Sequence, residues 1–274
     1  MKKAWSYTNA AAVVVMGVGL LAAGIAAAAS ATRPVVSELG IQPKTFMFVG
    51  NSFMYYNNSM HNHFLAMARA ADPGARGYRG TSITMSGSGI NWHDLESYFK
   101  PGGVASYSFA PGNKVVFNKF DKPFDVVIIQ DCSQCPIHPQ LKSVFHEYAK
   151  KQTAIIRKNG AVPVFLMTWA YEDKPEMTAS MAEEYTKAGN DNNTLVVPAG
   201  LAFANARAKQ PEVGLYMKDK RHPTLAGTYL SAATIYSALY KKPVTGPVSE
   251  GLSADTAKFL QSVAWETVQD YYRK

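Results

Sequence analysis

The sequence predicts an α/β protein, a three-layer α/β/α sandwich around a parallel sheet. Three observations predict it. Short apolar runs rich in β-branched residues alternate with amphipathic stretches of helical spacing along the chain after residue 31. The clearest run, Phe124–Ile129, takes in Asp125 at its entry and then four consecutive β-branched residues, a pattern suited to a strand covered on both faces. A serine in a Gly-Asn-Ser turn lies just past the first such run, where open parallel sheets hold their ligands.

Taken in order, Thr45–Val49 reads as a short buried strand and Ser59–Ala71 as a helix stopped by Asp72-Pro73-Gly74. Thr81–Ser86 is a second strand ending in a glycine-rich break, and Trp92–Phe99 a short helix. Pro101–Lys122, rich in Gly, Pro and aromatics, reads as a loop and a candidate lid or substrate wall. After the Phe124–Ile129 strand, Leu141–Lys158 is an amphipathic helix closed by Asn159-Gly160. Val162–Thr168 is the next strand, Pro175–Ala188 a helix, Thr194–Val197 a short strand and Leu201–Lys209 a helix. Pro223 suits the first turn of a helix running to about Tyr240, and Ser253, with Asp255 behind it, starts a last amphipathic helix. The chain after the leader shows no repeat and no low-complexity tract.

Residues 1–31 have the marks of a signal peptide: Lys2 and Lys3, an apolar or small run Ala10–Ala29, and a small-x-small site at Ala29-Ser30-Ala31. An uncleaved anchor is the alternative, because the run approaches the ~20 residues that span a bilayer; its Ala and Gly content favours cleavage. Export to the periplasm or beyond the cell follows either way. Residues 32–274 are then one domain, long enough to bury a full core. The formal charge of +8 is carried by scattered residues, with no stripe that would read as a nucleic-acid surface. Attraction to an anionic envelope polymer or lipid headgroup is an unspecific consequence of that charge. Cys132 and Cys135 are the two cysteines, too few for a structural zinc. In an exported chain they are expected as a disulfide that stiffens its own short loop; a redox-active pair is the alternative.

Three residue types carry the chemistry. Ser52 stands in Phe48-Val49-Gly50-Asn51-Ser52, and Asp219 and His222 in Asp219-Lys220-Arg221-His222-Pro223. A serine becomes a nucleophile when a histidine takes its proton and a carboxylate holds the imidazole tautomer. An Asp-x-x-His turn places both side chains on one side. The acid–base pair follows the nucleophile by most of the chain, unlike hydrolases with a mid-chain Gly-x-Ser-x-Gly elbow.

In this arrangement the sequence resembles the SGNH (GDSL-like) hydrolase superfamily over nearly all of residues 32–274, which implies an SGNH, flavodoxin-like form of the sandwich. Phe48–Ser52 resembles the first block, with Asn51 where many members carry Asp. Ser86-Gly87-Ser88-Gly89 resembles the second, with Gly89 matching the oxyanion-hole glycine, and Asp219-x-x-His222-Pro223 the last. The third block departs from the family: its Asn is missing, and the strand runs into Gln130-Asp131-Cys132-Ser133-Gln134. The resemblance implies an oxyanion hole of the Ser52 N–H, the Gly89 N–H and a side-chain amide, for which Gln130 is the candidate and Gln134 or Ser133 the fallback. It also implies an exported serine esterase acting through an acyl-serine, with a short acyl group such as O-acetyl on a carbohydrate or envelope polymer. No metal or organic cofactor enters such chemistry. An acyltransferase or lipid esterase on the same triad, or a non-catalytic binding module, are the other readings; contact with a membrane is expected only through an uncleaved leader.

Other residues have plainer readings. His61-x-His63 is badly spaced for one helix face and suits a surface or groove role rather than a metal. Trp92, His93 and Trp169 read as packing residues; Trp92, which follows the Gly89 turn, and Tyr55 and Tyr56, which flank the nucleophile turn, are the alternatives for lining the cleft. Asn57-Asn58-Ser59 and Asn192-Asn193-Thr194 are formal glycosylation sequons, expected to go unused behind a bacterial-type leader.

Overall fold

The computed structural model describes residues 32–74, 76–246 and 249–273. The leader and its Ala29-Ser30-Ala31 site lie outside them.

Five strands form one parallel sheet: β1 (Thr45–Gly50), β2 (Arg79–Thr84), β5 (Val126–Ile129), β6 (Val162–Leu166) and β7 (Leu195–Val197). Their order is β2-β1-β5-β6-β7. The numbering leaves room for a separate two-stranded unit, β3 (Tyr107–Ala110) and β4 (Lys114–Phe117). Every residue of β5 is buried, as its unbroken β-branched run requires. Asp125 starts the central pairing by accepting the Lys44 and Thr45 N–H groups at 2.9 and 3.0 Å.

Among the described residues, eight helices accompany the strands: α1 (Ser52–Tyr55), α2 (Met60–Ala71), α3 (Leu95–Phe99), α4 (Lys142–Lys158), α5 (Met177–Asp191), α6 (Ala199–Lys209), α7 (Leu225–Tyr240) and α8 (Ala254–Tyr272). The path from β1 to β2 runs one way across the sheet, and the paths β5 to β6 to β7 run the other. Right-handed crossovers therefore set α2 on one face and α4 and α5 on the opposite face. Accordingly α2 packs with α7, and α7 with α6 and α8, while α4 packs with α3 and α5, and α5 also meets α6. Fourteen of the sixteen residues of α7 are buried, so this helix lies inside one layer with α8 outside it. The result is the three-layer α/β/α sandwich.

Local chemistry explains the departures from expectation. The 92–99 stretch splits into a single 3-10 turn, Ile90–Trp92, and α3, because His93 is extended and Asp94 caps the new helix by accepting the Ser97 N–H at 3.2 Å. The last helix keeps its expected cap, Ser253 accepting from the Thr256 N–H, while the helix before it starts two residues later than expected, with Thr224 as its cap accepting from the Gly227 N–H. Pro223 instead pairs in a bridge with Tyr216, one step before the cap.

Pro101–Lys122 is a correction. It is not an irregular wall but contains the antiparallel hairpin β3–β4, turning through Pro111-Gly112-Asn113. Its root lies at the N-terminal ends of the strands. The Phe120 ring sits 3.9 Å from the Arg79 guanidinium at the start of β2, and Lys122 pairs with Asp125 at 2.9 Å. Ser52 stands beyond the opposite ends.

Candidate active site

Ser52 opens α1 one residue after Asn51, which follows the last residue of β1. Gly50 permits this turn because any Cβ there would stand 2.7 Å from the Gln130 side chain. Asn51 is extended and caps α1, its Oδ1 accepting the Phe53 N–H at 3.1 Å. The same oxygen accepts from Gln130 Nε2 at 2.8 Å, and Nδ2 donates to the carbonyls of Ser88 (2.9 Å) and Asp131 (3.2 Å). All four hydrogen-bonding capacities of the amide are met. A carboxylate at this position would aim lone pairs at two carbonyl oxygens, which accounts for Asn where the resembled family often has Asp.

His222 and Asp219 reach the serine from a loop ahead of α7. Ser52 Oγ lies 2.8 Å from His222 Nε2, and His222 Nδ1 bonds Asp219 Oδ2. The other Asp219 oxygen accepts the Arg221 and His222 N–H groups at 3.0 Å each. Desolvation raises the Asp219 pKa, but the bonds from His222 and the two backbone N–H groups outweigh it and bring it to about 2. The carboxylate is thus ionised while its side chain stays 45% exposed. The loop is held in place by Trp169 Nε1, which donates to the Arg221 carbonyl at 3.0 Å, and by Lys220 in the left-handed region. Trp169 is itself fully buried, stacked between Phe53 and Phe203. Tyr56 stacks on the His222 ring with centroids 4.5 Å apart, and Phe53 meets it edge-on.

Asn57 is a residue sequence reading did not single out for the site. Its Nδ2 donates to the Pro223 carbonyl (2.8 Å) and Thr228 Oγ1 (3.0 Å), tying the nucleophile turn to the acid–base loop. Asn57, Asn58 and Ser59 all have positive φ. An Asn-Asn-Ser string before a helix is the signal that could have found it, since these short polar residues tolerate that conformation. His63 is buried rather than on the surface, bonded at 2.7 Å to Ser249 Oγ and to the Asn57 carbonyl. It supports the same turn. His93 is buried under Gly50, whose carbonyl lies 3.1 Å from Nε2, and burial pushes its pKa down.

Among the described residues, the N–H groups of Ser52 and Gly89 have no acceptor within the protein. Gly89 is buried, and a Cβ there would stand 2.8 Å from Asn91 Oδ1 and 3.1 Å from Asp131 Oδ1. Asp131 anchors this turn: its Oδ1 accepts the Ile90 and Cys132 N–H groups at 2.7 Å each. Burial raises its pKa to about 6 against those two bonds. Cys132 and Cys135 are joined in a disulfide whose loop packs against Gly89. Among the described residues, Asp131 and these two sulfurs form the one cluster with metal-ligand spacing. Both sulfurs are committed to the disulfide, so the cluster does not offer thiolates.

Gln130 departs from expectation as an oxyanion donor. It is 1% exposed, its amide donates to Asn51, and its Oε1 is buried without a partner. The longer stem of Gln folds back along β1 instead of reaching the open side. Ser133 Oγ bonds the Tyr171 hydroxyl at 2.8 Å, and Gln134 leads into the turn of the disulfide loop.

No family model and no curated protein matches the sequence. Solved structures do match its fold. A DUF4886 family protein from Bacteroides uniformis is 18% identical with a TM-score of 0.54, covering 83% of this chain and 95% of its own. A protein from Slackia heliotrinireducens, provisionally assigned as an SGNH hydrolase, is 18% identical with a TM-score of 0.51, covering 70% and 97%. TesA is 17% identical with a TM-score of 0.51, covering 73% and 99%. This chain has the fold of the SGNH (GDSL-like) hydrolase superfamily, the one its sequence motifs resemble.

Proposed function

We propose that the protein is an exported serine esterase. The observation that carries the reading is the Ser52 Oγ–His222 Nε2 distance of 2.8 Å with Asp219 on the far ring nitrogen. Ser52 attacks an ester carbonyl while His222 takes its proton; His222 then protonates the leaving alcohol. Water, activated by the same imidazole, releases the acid from the acyl-serine. Asp219 holds the tautomer and offsets the imidazolium charge. The tetrahedral oxyanion is received by the Ser52 and Gly89 N–H groups, neither of which has a protein acceptor among the described residues. Gln130 serves this hole indirectly, by holding Asn51.

The site is open. Trp92, three residues after Gly89, is 61% exposed, and Tyr55 holds Ser86 Oγ at 2.7 Å at the surface. Exposed aromatic faces beside an open nucleophile suit an acylated polymer such as a carbohydrate better than a free lipid. The short acyl group, acetyl first, rests on the resemblance to the family. Export is supported by the leader and by a disulfide, which persists in oxidising compartments.

The test is hydrolysis of p-nitrophenyl acetate against butyrate and octanoate esters, with fluorophosphonate labelling of wild type and Ser52→Ala. Activity greatest on acetate, and labelling lost in the variant, support the reading. Labelling that persists at another serine overturns the triad, and preference for octanoate overturns the short-acyl part.

A further inference from the structure

The hairpin β3–β4 presents an apolar face that none of the described residues covers. In an antiparallel pair, directly opposed residues point to the same side. The register pairs Tyr107 with Phe117 and Phe109 with Val115, so these four side chains share one face. They are 56%, 75%, 71% and 45% exposed. The Tyr107 and Phe109 rings touch edge-on, 6.0 Å apart. The face is therefore continuous and apolar, and it belongs to an element rooted at the end of the sheet away from Ser52.

The segment that carries it is basic. From Lys100 to Lys122 the chain carries four lysines and one acid, Asp121. Lys122 is paired with Asp125; Lys114 and Lys119 flank the β4 residues of the apolar face in sequence, Lys114 on the opposite side of the hairpin, and Lys100 precedes the hairpin at the end of α3. Lys114 opens β4, directly across from Ala110 at the hairpin tip. Four side chains are far too small an area for a stable protein interface, which needs about 800 Å² per partner. They are enough for shallow insertion among lipid headgroups, where aromatic rings and neighbouring lysines act together.

We propose that this hairpin is a membrane-docking element, seating the Tyr107–Phe109–Val115–Phe117 face in the surface of an anionic lipid bilayer. The lysines meet the headgroup phosphates while the rings enter the boundary with the acyl chains. Docking through the hairpin leaves the Ser52 edge of the sheet facing away from the bilayer. It is separate from the leader and operates whether or not the leader is cleaved.

The experiment uses the full chain with Phe109→Trp, mixed with vesicles of brominated phosphatidylcholine and phosphatidylglycerol. Because the reporter is in the hairpin, insertion of the leader does not mimic the signal. The expected result is a blue shift and bromine quenching over that of the wild-type chain, both weakened by salt. Adding Lys114→Glu and Lys119→Glu lowers the apparent vesicle affinity by at least about tenfold, and adding Phe117→Ser lowers it further. All variants keep the wild-type melting temperature, since these side chains are exposed. Three results overturn the proposal. One is an introduced indole left unquenched by vesicles. Another is equal quenching on uncharged vesicles. The third is a blue shift without vesicles that grows with protein concentration, which would assign the face to a second copy of the chain.

Discussion

Two polar regions meet at the carboxyl edge of the sheet, and they are built on opposite terms. The Asp219–His222 pair is partly open to water, with side chains 45% and 24% exposed. Beneath it, Asn51, Ser88, Gln130 and Asp131 are all buried to 4% exposure or less. The upper region holds His222, which takes up and releases a proton during the proposed reaction, and the carboxylate that stays ionised beside it. The lower one holds the backbone of three strand-end loops in register through Asn51. A buried polar junction is costly to leave half-bonded, so it fixes geometry firmly. An exposed pair is cheaper to ionise and to reprotonate. The difference teaches that position and reactivity are supplied by separate sets of side chains here.

The sharpest way to break this division is at Ser52. Ser52→Ala is expected to lower kcat for p-nitrophenyl acetate by about 10⁴-fold or more, with the melting temperature within a degree or two of wild type. A large stability change would move Ser52 from the reactive set to the structural one.

Asp219→Asn comes next. The lost carboxylate no longer fixes the tautomer of His222, and kcat is expected to fall about 10²-fold or more. Partial exposure lets water replace some of its effect. The sign with pH is definite: Asp219 has a lowered pKa, so its contribution to stability is present above about 4 and lost as pH falls toward 2. Acid unfolding of wild type and variant, followed side by side, reads this directly.

Asp131 gives the opposite sign. Its folded-state pKa is raised from 3.8 to about 6, so the native chain holds a proton the unfolded chain has released. That contribution is complete at low pH and is lost as pH rises from about 4 to 6. Asp131→Asn keeps the acceptor for the Ile90 and Cys132 N–H groups without the charge. Relative to this variant, wild type is expected to lose about 2–3 kcal/mol between pH 4 and pH 7. Denaturant unfolding at the two pH values measures it; no difference would mean that water reaches the carboxyl.

The smallest effect is expected at Gln130. Gln130→Leu removes the donor to Asn51 and also the partnerless Oε1, for a net stability loss of about 1–2 kcal/mol. It should change kcat by less than about tenfold. A 10²-fold fall in kcat at unchanged stability would return Gln130 to the oxyanion hole.

How much of this was legible in the sequence differs by element. Four of the five sheet strands were readable because burial demands continuous apolar runs, as in Val126–Ile129; the half-buried edge strand β2 was readable only from its β-branched residues and the glycine-rich break after it. The caps at Ser253 and Asn159-Gly160 were readable because they act within a few residues. The hairpin was not: its strands are four residues each and exposed, so no core imposed a period on them, and the Pro, Gly and aromatic content read as loop. The partner of Gln130 was not legible, because its strand-end position is visible in sequence but the direction of its side chain is not. That direction is decided by Gly50 and Asn51, some eighty residues earlier in the chain.

By itself, then, the sequence determined the alternation of strands and helices, the order Ser52, Gly89, Asp219, His222, and a cysteine pair spaced closely enough to close on itself. These rest on local periodicity, turn chemistry and spacing. Tertiary structure alone decided which amide is spent on the frame, which N–H groups are left for a ligand, that Tyr56 and Trp169 hold the acid–base loop, and that an apolar hairpin face is left uncovered at the far end. Each of these depends on contacts between segments distant in the chain, and a side chain's partner across such a distance is set by packing that no local pattern encodes.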